Sequence, residues 1–493
     1  MLRKSRIALA VVFYLCITLL FLDFTGTLHA YLGWMAKIQF LPALLALNAI
    51  VIIFLIALTL LFGRVYCSII CPLGVFQDIV SWISGRRKKK NYRFSYSPEK
   101  KWLRYGILAM FVAAMIAGIS SIVALLAPYS SYGRVASTFF APLYGLTNNL
   151  LALIAEKADS YTFYETEVWF KSLSTFIVAL ITLIIIAVLA WRNGRTYCNT
   201  ICPVGTVLGF FSRFSLFRPV IDTSKCNSCG LCNRKCKSSC INPKEHTIDY
   251  SRCVACMDCL ATCKHGAISY SIRKPSAKKA DNSTDANRRS FLSITALFAT
   301  TTALEARKKK VDGGLAVIED KKAPERATPI VPPGSIGLQH MANHCTACQL
   351  CIASCPNQVL RPSSRLGNFM QPEMSYERGY CRPECTKCSE VCPAGAILPI
   401  SVADKSATQI GHAVWIKKNC IPLTSGNSCG NCARHCPTGA IEMIPSDPDN
   451  SDSPKIPAIN TARCIGCGAC ENLCPARPFS AIYVEGIGVH NTL

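Results

Sequence analysis

Thirty of the 493 residues are cysteine, and 24 of them fall into six quartets with cluster spacing. Cys345, Cys348, Cys351 and Cys355 precede Pro356, and Cys464, Cys467, Cys470 and Cys474 precede Pro475. Three thiols at i, i+3 and i+6, with a fourth four residues later, suit a tight loop wrapped around a 4Fe–4S cubane. Disulfide scaffolds of this cysteine density are small and secreted, and zinc sites pair cysteines with more distant partners. The chemistry implied is one-electron transfer.

The other four quartets vary this theme. In two-cluster loops the fourth cysteine of each run serves the other cluster. That rule groups Cys226, Cys229, Cys232 with Cys263, and Cys253, Cys256, Cys259 with Cys236. Neither Cys236 nor Cys263 is followed by proline, and Cys240 is an alternative to Cys236. Cys381, Cys385, Cys388 and Cys392 carry one extra residue before the second thiol. Cys420, Cys429, Cys432 and Cys436 contain an inserted loop, Ile421–Ser428. Six 4Fe–4S clusters are expected, with the pairing of the last four runs open.

Four further cysteines lie in a repeat. Gly63-Arg64-Val65-Tyr66-Cys67-Ser68-Ile69-Ile70-Cys71-Pro72-Leu73-Gly74 recurs as Gly194-Arg195-Thr196-Tyr197-Cys198-Asn199-Thr200-Ile201-Cys202-Pro203-Val204-Gly205. Each C-x3-C pair sets two thiols on one helical face. Two such pairs make either a seventh, shared iron–sulfur site or a set of structural thiols. Cys16, alone in an apolar run, is a small hydrophobe.

Positioning these loops requires membrane helices. Ile7–Phe24, Phe40–Phe62, Tyr105–Ala127 and Ser172–Trp191 are long and apolar enough to span a bilayer. Phe139–Ala155, with Asn148-Asn149, reads as an interfacial or re-entrant helix. The formal charge of +24 is uneven: residues 63–104 hold ten Lys/Arg against two acids, and 192–290 hold 17 against six. Residues 307–493 hold 19 against 15. Basic loops beside apolar spans follow the positive-inside rule rather than a nucleic-acid footprint. The expected fold is a membrane α-helical bundle, four transmembrane helices in two repeated pairs, carrying α+β ferredoxin-like modules.

Four segments follow. Residues 1–221 form the membrane domain, 222–270 a cytoplasmic two-cluster module, 271–336 a linker, and 337–493 a four-cluster module. The linker contains Arg288-Arg289 ahead of the weakly apolar Phe291–Ala303. A twin-arginine segment is an export address for folded proteins, so the last module is expected in the periplasm of a bacterial inner-membrane protein.

Absences narrow the electron donor. There is no C-x-x-C-H, no histidine within the four spans and no G-x-G-x-x-G, which leaves haem and nicotinamide sites unsupported. Membrane quinol is the natural donor. His29, Asp23 and Tyr31, beyond the first span, are candidates to receive its protons, or else interfacial anchors.

The paired GRxYCxxxCPxG motifs with a two-cluster module make residues 1–270 resemble NapH, the membrane ferredoxin of periplasmic nitrate reductase systems. The twin-arginine segment with four C-terminal runs makes residues 287–493 resemble NapG, its exported four-cluster companion. The resemblance implies a quinol dehydrogenase passing electrons to a periplasmic reductase. The chain departs in fusing both parts, and nothing in it specifies nitrate. The resemblance leaves two other readings: an accessory factor supplying electrons for metalloenzyme maturation, and a relay from cytoplasmic ferredoxin.

Overall fold

The computed structural model describes residues 2–23, 26–87, 94–160, 162–272 and 319–493. The twin-arginine pair and Phe291–Ala303 lie outside the described residues. Helix α1 (Leu2–Leu22) is 21 residues long, which spans about 30 Å at 1.5 Å per residue.

The expected Phe40–Phe62 span is broken. Leu47 takes a left-handed φ of 52°, and the Asn48 side chain accepts the Val51 N–H at 3.3 Å to start a new helix, α2 (Ala49–Phe62). Likewise α3 (Lys101–Ile116) ends before Gly118, whose φ is 70°, and α4 (Ser120–Leu126) follows. Next, α5 (Pro128–Val135) runs through one π turn, Ala136–Phe140, into α6 (Ala141–Lys157). Helix α7 (Leu173–Asn193) is unbroken.

Among the described residues three helices are long and apolar enough to cross a membrane: Leu2–Leu22, Pro128–Lys157 and Leu173–Asn193. The sequence anticipates two of them and reads part of the third as interfacial. The breaks have a physical cause. Gly118 lies beside Asn343 and Ala46 beside Gly395, both in the C-terminal module. The bend at Leu47, itself 82% exposed, is set locally by its left-handed backbone and the Asn48 cap. Asn148 and Asn149 each donate at 2.8 Å, to the Tyr164 and Thr166 carbonyls, and so pin the segment after α6 against it.

In the first cluster module β1 (Phe217–Ile221) pairs antiparallel with β2 (Ile268–Ile272), and the cysteine loops lie between them. In the second, β3 (Thr408–Trp415) pairs with β6 (Ile482–Thr492), while β4 (Ile441–Asp447) and β5 (Asn450–Ile459) form a hairpin. Residues 319–336, which the sequence leaves in the linker, pack into this module. Arg326 donates to Val484 O at 2.8 Å and pairs with buried Glu471 at 2.6 Å.

One continuous core includes Ile17 of α1, Tyr66 and Tyr197 of the repeats, and Cys348 and Val391 of the C-terminal module. The two modules meet opposite ends of α1. Arg3 pairs with Asp258 of the first module at 2.7 Å. At the other end Phe21 packs on Tyr129 and Tyr132. There a Cβ on Gly133 would fall 2.4 Å from the Cys348 carbonyl.

Candidate iron–sulfur centres

The backbone of each regular run is bent in the same way. The residues flanking the second cysteine are left-handed in all four: Ser228 and Gly230, Ala255 and Met257, Ala347 and Gln349, Gly466 and Gly468. Five of these eight are not glycine, and such conformations cost of order 1–3 kcal/mol each unless the surroundings enforce them. The two irregular runs lack this signature, because their extra residues change the turn.

Side chains then converge on cavities. One is lined by Cys226, Cys229, Cys232 and Cys263. Another is lined by Cys253, Cys256 and Cys259 with Cys236 and Cys240. In the C-terminal module Cys381, Cys385 and Cys388 share a cavity with Cys355, and Cys420, Cys429 and Cys432 share one with Cys474. The Cys345 thiol is flanked by those of Cys348 and Cys392, and the Cys467 thiol by those of Cys464 and Cys436. Runs therefore pair with their sequence neighbours, each exchanging its fourth cysteine, a choice not readable from spacing.

The fit to an anionic cluster is visible in the donors. Backbone N–H groups of Ala267, Ile397, Ala440 and Ala481 point at the fourth thiols Cys263, Cys392, Cys436 and Cys474, at 3.2–3.4 Å. Such bonds stabilise thiolate and tune a bound cluster's potential. The Cys236 and Cys240 sulfurs stand 3.5 Å apart at the same cavity, so both are within reach of it.

The repeat brings Cys67, Cys71, Cys198 and Cys202 together, all buried. The glycines, arginines and tyrosines of the motif each have a task. Gly63 and Gly194, with φ of 75° and 69°, end α2 and α7. Each arginine crosses to the opposite repeat: Arg64 donates to Cys198 O at 3.1 Å and Arg195 to Cys67 O at 2.6 Å. Gly74 and Gly205 make room, since a Cβ on either would sit 2.3 Å from that same carbonyl. The tyrosines hold returning segments. Tyr66 donates to Gln39 Oε1 at 3.0 Å and accepts from Phe40 N, while Tyr197 donates to Leu126 O at 3.3 Å.

Burial pushes the Cys71 and Cys202 thiols up, and the Cys198 thiol adds to it. Four clustered thiols become thiolates only if positive charge compensates them. Arg64 approaches Cys67 Sγ at 3.7 Å, Gln77 donates to Cys198 Sγ at 3.2 Å and Gly205 N–H to Cys202 Sγ at 3.3 Å. Asp78 anchors the surround. Burial alone would raise its carboxyl, but Arg195, Lys237 and Arg6 hold it well below the usual range.

Residues beside the four thiols touch the centres on both sides. Arg64 donates to Ser251 O at 3.1 Å, two residues before Cys253. On the other side Tyr129 is near enough to interact electrostatically with the Cys348 and Cys392 thiols, and buried Arg134 with Tyr197 and Cys348. No motif marks Tyr129 or Arg134. The only sequence signal was their position between apolar stretches.

Of the three proton-site candidates, two meet. His29 Nδ1 lies 3.1 Å from Asp23 Oδ2, and its Nε2 lies 3.3 Å from Ser354 Oγ, next to Cys355. Tyr31 is 80% exposed and does not join them.

Comparison with known proteins gives the same picture. A family model described as a 4Fe-4S binding domain matches residues 44–91 and 175–221, one match per repeat. A 4Fe-4S dicluster domain matches 344–396 and 427–477, the same neighbouring pairs of runs. Relatives include the methylamine utilization ferredoxin-type protein MauM of Methylobacillus flagellatus, 29% identical over 33% of this chain and 70% of that protein. The ferredoxin-type protein NapG of Escherichia coli is 27% identical over 33% of this chain and 75% of its own length. NapF of the same organism is 30% identical over 32% and 86%. No solved structure matches.

Thiol cavities carried on apolar helices define an iron–sulfur electron-transfer protein of the ferredoxin type with a membrane domain. The chain belongs to the Nap family of ferredoxin-type proteins.

Proposed function

We propose that this protein oxidises membrane quinol and passes the electrons through 4Fe–4S clusters to a periplasmic reductase. One observation carries the reading: two cluster modules pack on opposite ends of α1, with the Cys67, Cys71, Cys198, Cys202 set between them. In this reading residues 1–221 are the membrane domain, its four spans arranged as two pairs with the second and third broken. Residues 222–270 lie in the cytoplasm. The four-cluster module lies in the periplasm, exported through Arg288-Arg289.

Six clusters are held by the crossed cysteine sets, and a seventh by the repeat. A bound cluster supplies one-electron acceptance. The chain's residues position it, exclude water from it and give it thiolate ligands. His29 and Asp23 form a buried pair able to hold a proton beside the Cys355 loop.

Anaerobic purification with iron analysis and EPR tests this. About 24 irons corresponds to six cubanes and about 28 to seven. Menaquinol is expected to reduce clusters that dithionite also reduces. A preparation that dithionite reduces and menaquinol does not would overturn the quinol reading.

A second reading has its own observation. Of the 30 cysteines only Cys229 is exposed, and exposed Lys225, Arg234, Lys244 and Lys264 surround its loop. That surface suits an acidic soluble electron carrier, as a relay from cytoplasmic ferredoxin requires. Reduction by such a carrier without quinol, weakened by salt, distinguishes it.

A further inference from the structure

At the end of α1 remote from the first module, a cavity of about 350 Å³ opens between α1, α6 and the C-terminal module. Phe21, Ala141, Tyr144, Trp169, Lys171 and Cys355 line it. Cys355, Pro356 and Leu360 also line the cavity of the Cys381, Cys385 and Cys388 thiols. A molecule in the larger cavity is therefore separated from that cluster position by the thickness of one cysteine loop.

The surroundings select what enters. Leu143, Leu146, Phe170 and Leu173, on and around α6 and the start of α7, are 53–65% exposed. Apolar surface of this kind on helices fit to span a membrane faces lipid. The wall is mixed: Glu165, Thr166, Glu167, Lys171 and Gln358 lie among apolar and aromatic side chains. The Lys171 amine has no hydrogen bond or ion pair among the described residues, yet senses the Cys355 and Cys351 thiols. Gln358 also lines the wall, and its Oε1 is buried without a partner. A volume of about 350 Å³ falls within the roughly 300–1,000 Å³ of small-molecule sites.

We propose that this cavity binds the head group of a lipid-soluble para-quinol, with the cluster position of Cys355, Cys381, Cys385 and Cys388 as the first electron acceptor. The proposal rests on the quinol reading above and locates its site. Lys171 donates to one ring oxygen, Gln358 accepts from the other hydroxyl, and Tyr144 flanks the ring. The prenyl tail lies along α6. The two O–H bonds of the quinol break and the ring becomes the quinone. Its two electrons leave singly to two oxidised clusters, that of Cys355 and the adjoining one of Cys345, Cys348, Cys351 and Cys392. The two protons pass to water beside Glu165 and Glu167, exposed residues of the wall.

The test uses the full chain in lipid nanodiscs. Lys171→Met and Ala353→Phe are each expected to slow cluster reduction by menaquinol about tenfold or more. Dithionite-reducible cluster content, read by EPR, stays at the wild-type level. A photoreactive azidoquinone is expected to label residues 141–145 or 164–171. Labelling elsewhere, or unchanged quinol rates in both variants, would overturn the site while leaving quinol oxidation standing. If wild-type clusters take electrons from dithionite but from no quinol, the quinol reading itself falls, and the site with it.

Discussion

The Arg195 guanidinium of the second repeat reaches the Cys67 carbonyl of the first at 2.6 Å, and its Nε meets Asp78 at 2.8 Å. Arg64 repeats the crossing in the other direction. The two halves of the membrane domain are thus locked through the peptide groups of the cysteines themselves. Asp78 keeps Arg6 and Lys237 when Arg195 is removed, so the cost falls below the about 3–5 kcal/mol of breaking an isolated buried pair. With the proposed seventh cluster at the repeat, Arg195→Gln is expected to lower the total iron by about four atoms per chain. Iron analysis and thermal unfolding on the same sample read both effects.

Close approach gives a second prediction. A Cβ at Gly74 would lie 2.3 Å from Cys67 O and 2.7 Å from the Arg195 guanidinium. Backbone cannot yield cheaply there, so Gly74→Ala is expected to destabilise by about 2 kcal/mol or more. Gly85 lies in the following helix with nothing within 4 Å of its added Cβ. Gly85→Ala is expected to be neutral or to stabilise by up to about 1 kcal/mol. Comparison of melting temperatures in detergent checks the pair.

Crossed ligation predicts which cluster each thiol serves. Cys474 lines the cavity of Cys420, Cys429 and Cys432 rather than that of its own run. Cys474→Ser is therefore expected to alter the EPR signature shared with Cys420→Ser. The signal lost in Cys464→Ser should remain. Matching spectra of Cys474→Ser and Cys464→Ser would show ligation within runs.

Acid is expected to loosen the C-terminal strand. Burial lowers His490 from 6.5 to about 4, and its ring nitrogens have no partner. Between pH 6.5 and about 4 the unfolded segment binds the proton and the folded one does not, so stability is present above this window and falls as pH drops through it. Discounting for partial exposure, the loss is roughly 1–2 kcal/mol. Hydrogen exchange of β6 should accelerate on acidification beyond its intrinsic pH trend, and His490→Leu should remove that excess.

Much of the site was legible because cluster ligation is local. A cubane wants thiols a few residues apart, so spacing alone marks Cys345 to Cys355 or Cys464 to Cys474. The repeat was visible for the same reason. Its arginines and tyrosines were not interpretable, because Arg64, Arg195, Tyr66 and Tyr197 act on residues 26–187 positions away. The helix breaks at Leu47 and Gly118 were missed because hydropathy averages over them. Their partners, Gly395 and Asn343, lie hundreds of residues downstream.

By itself the sequence determined the thiol runs, the apolar helices and the paired motif, since each depends on neighbours along the chain. Only the tertiary structure decided which of the last four runs exchange their fourth cysteine and that the four repeat thiols meet. It also decided that Lys171 and Cys355 border one cavity. Those are contacts between segments far apart in the chain, set by how helices and loops pack, and spacing carries no record of them.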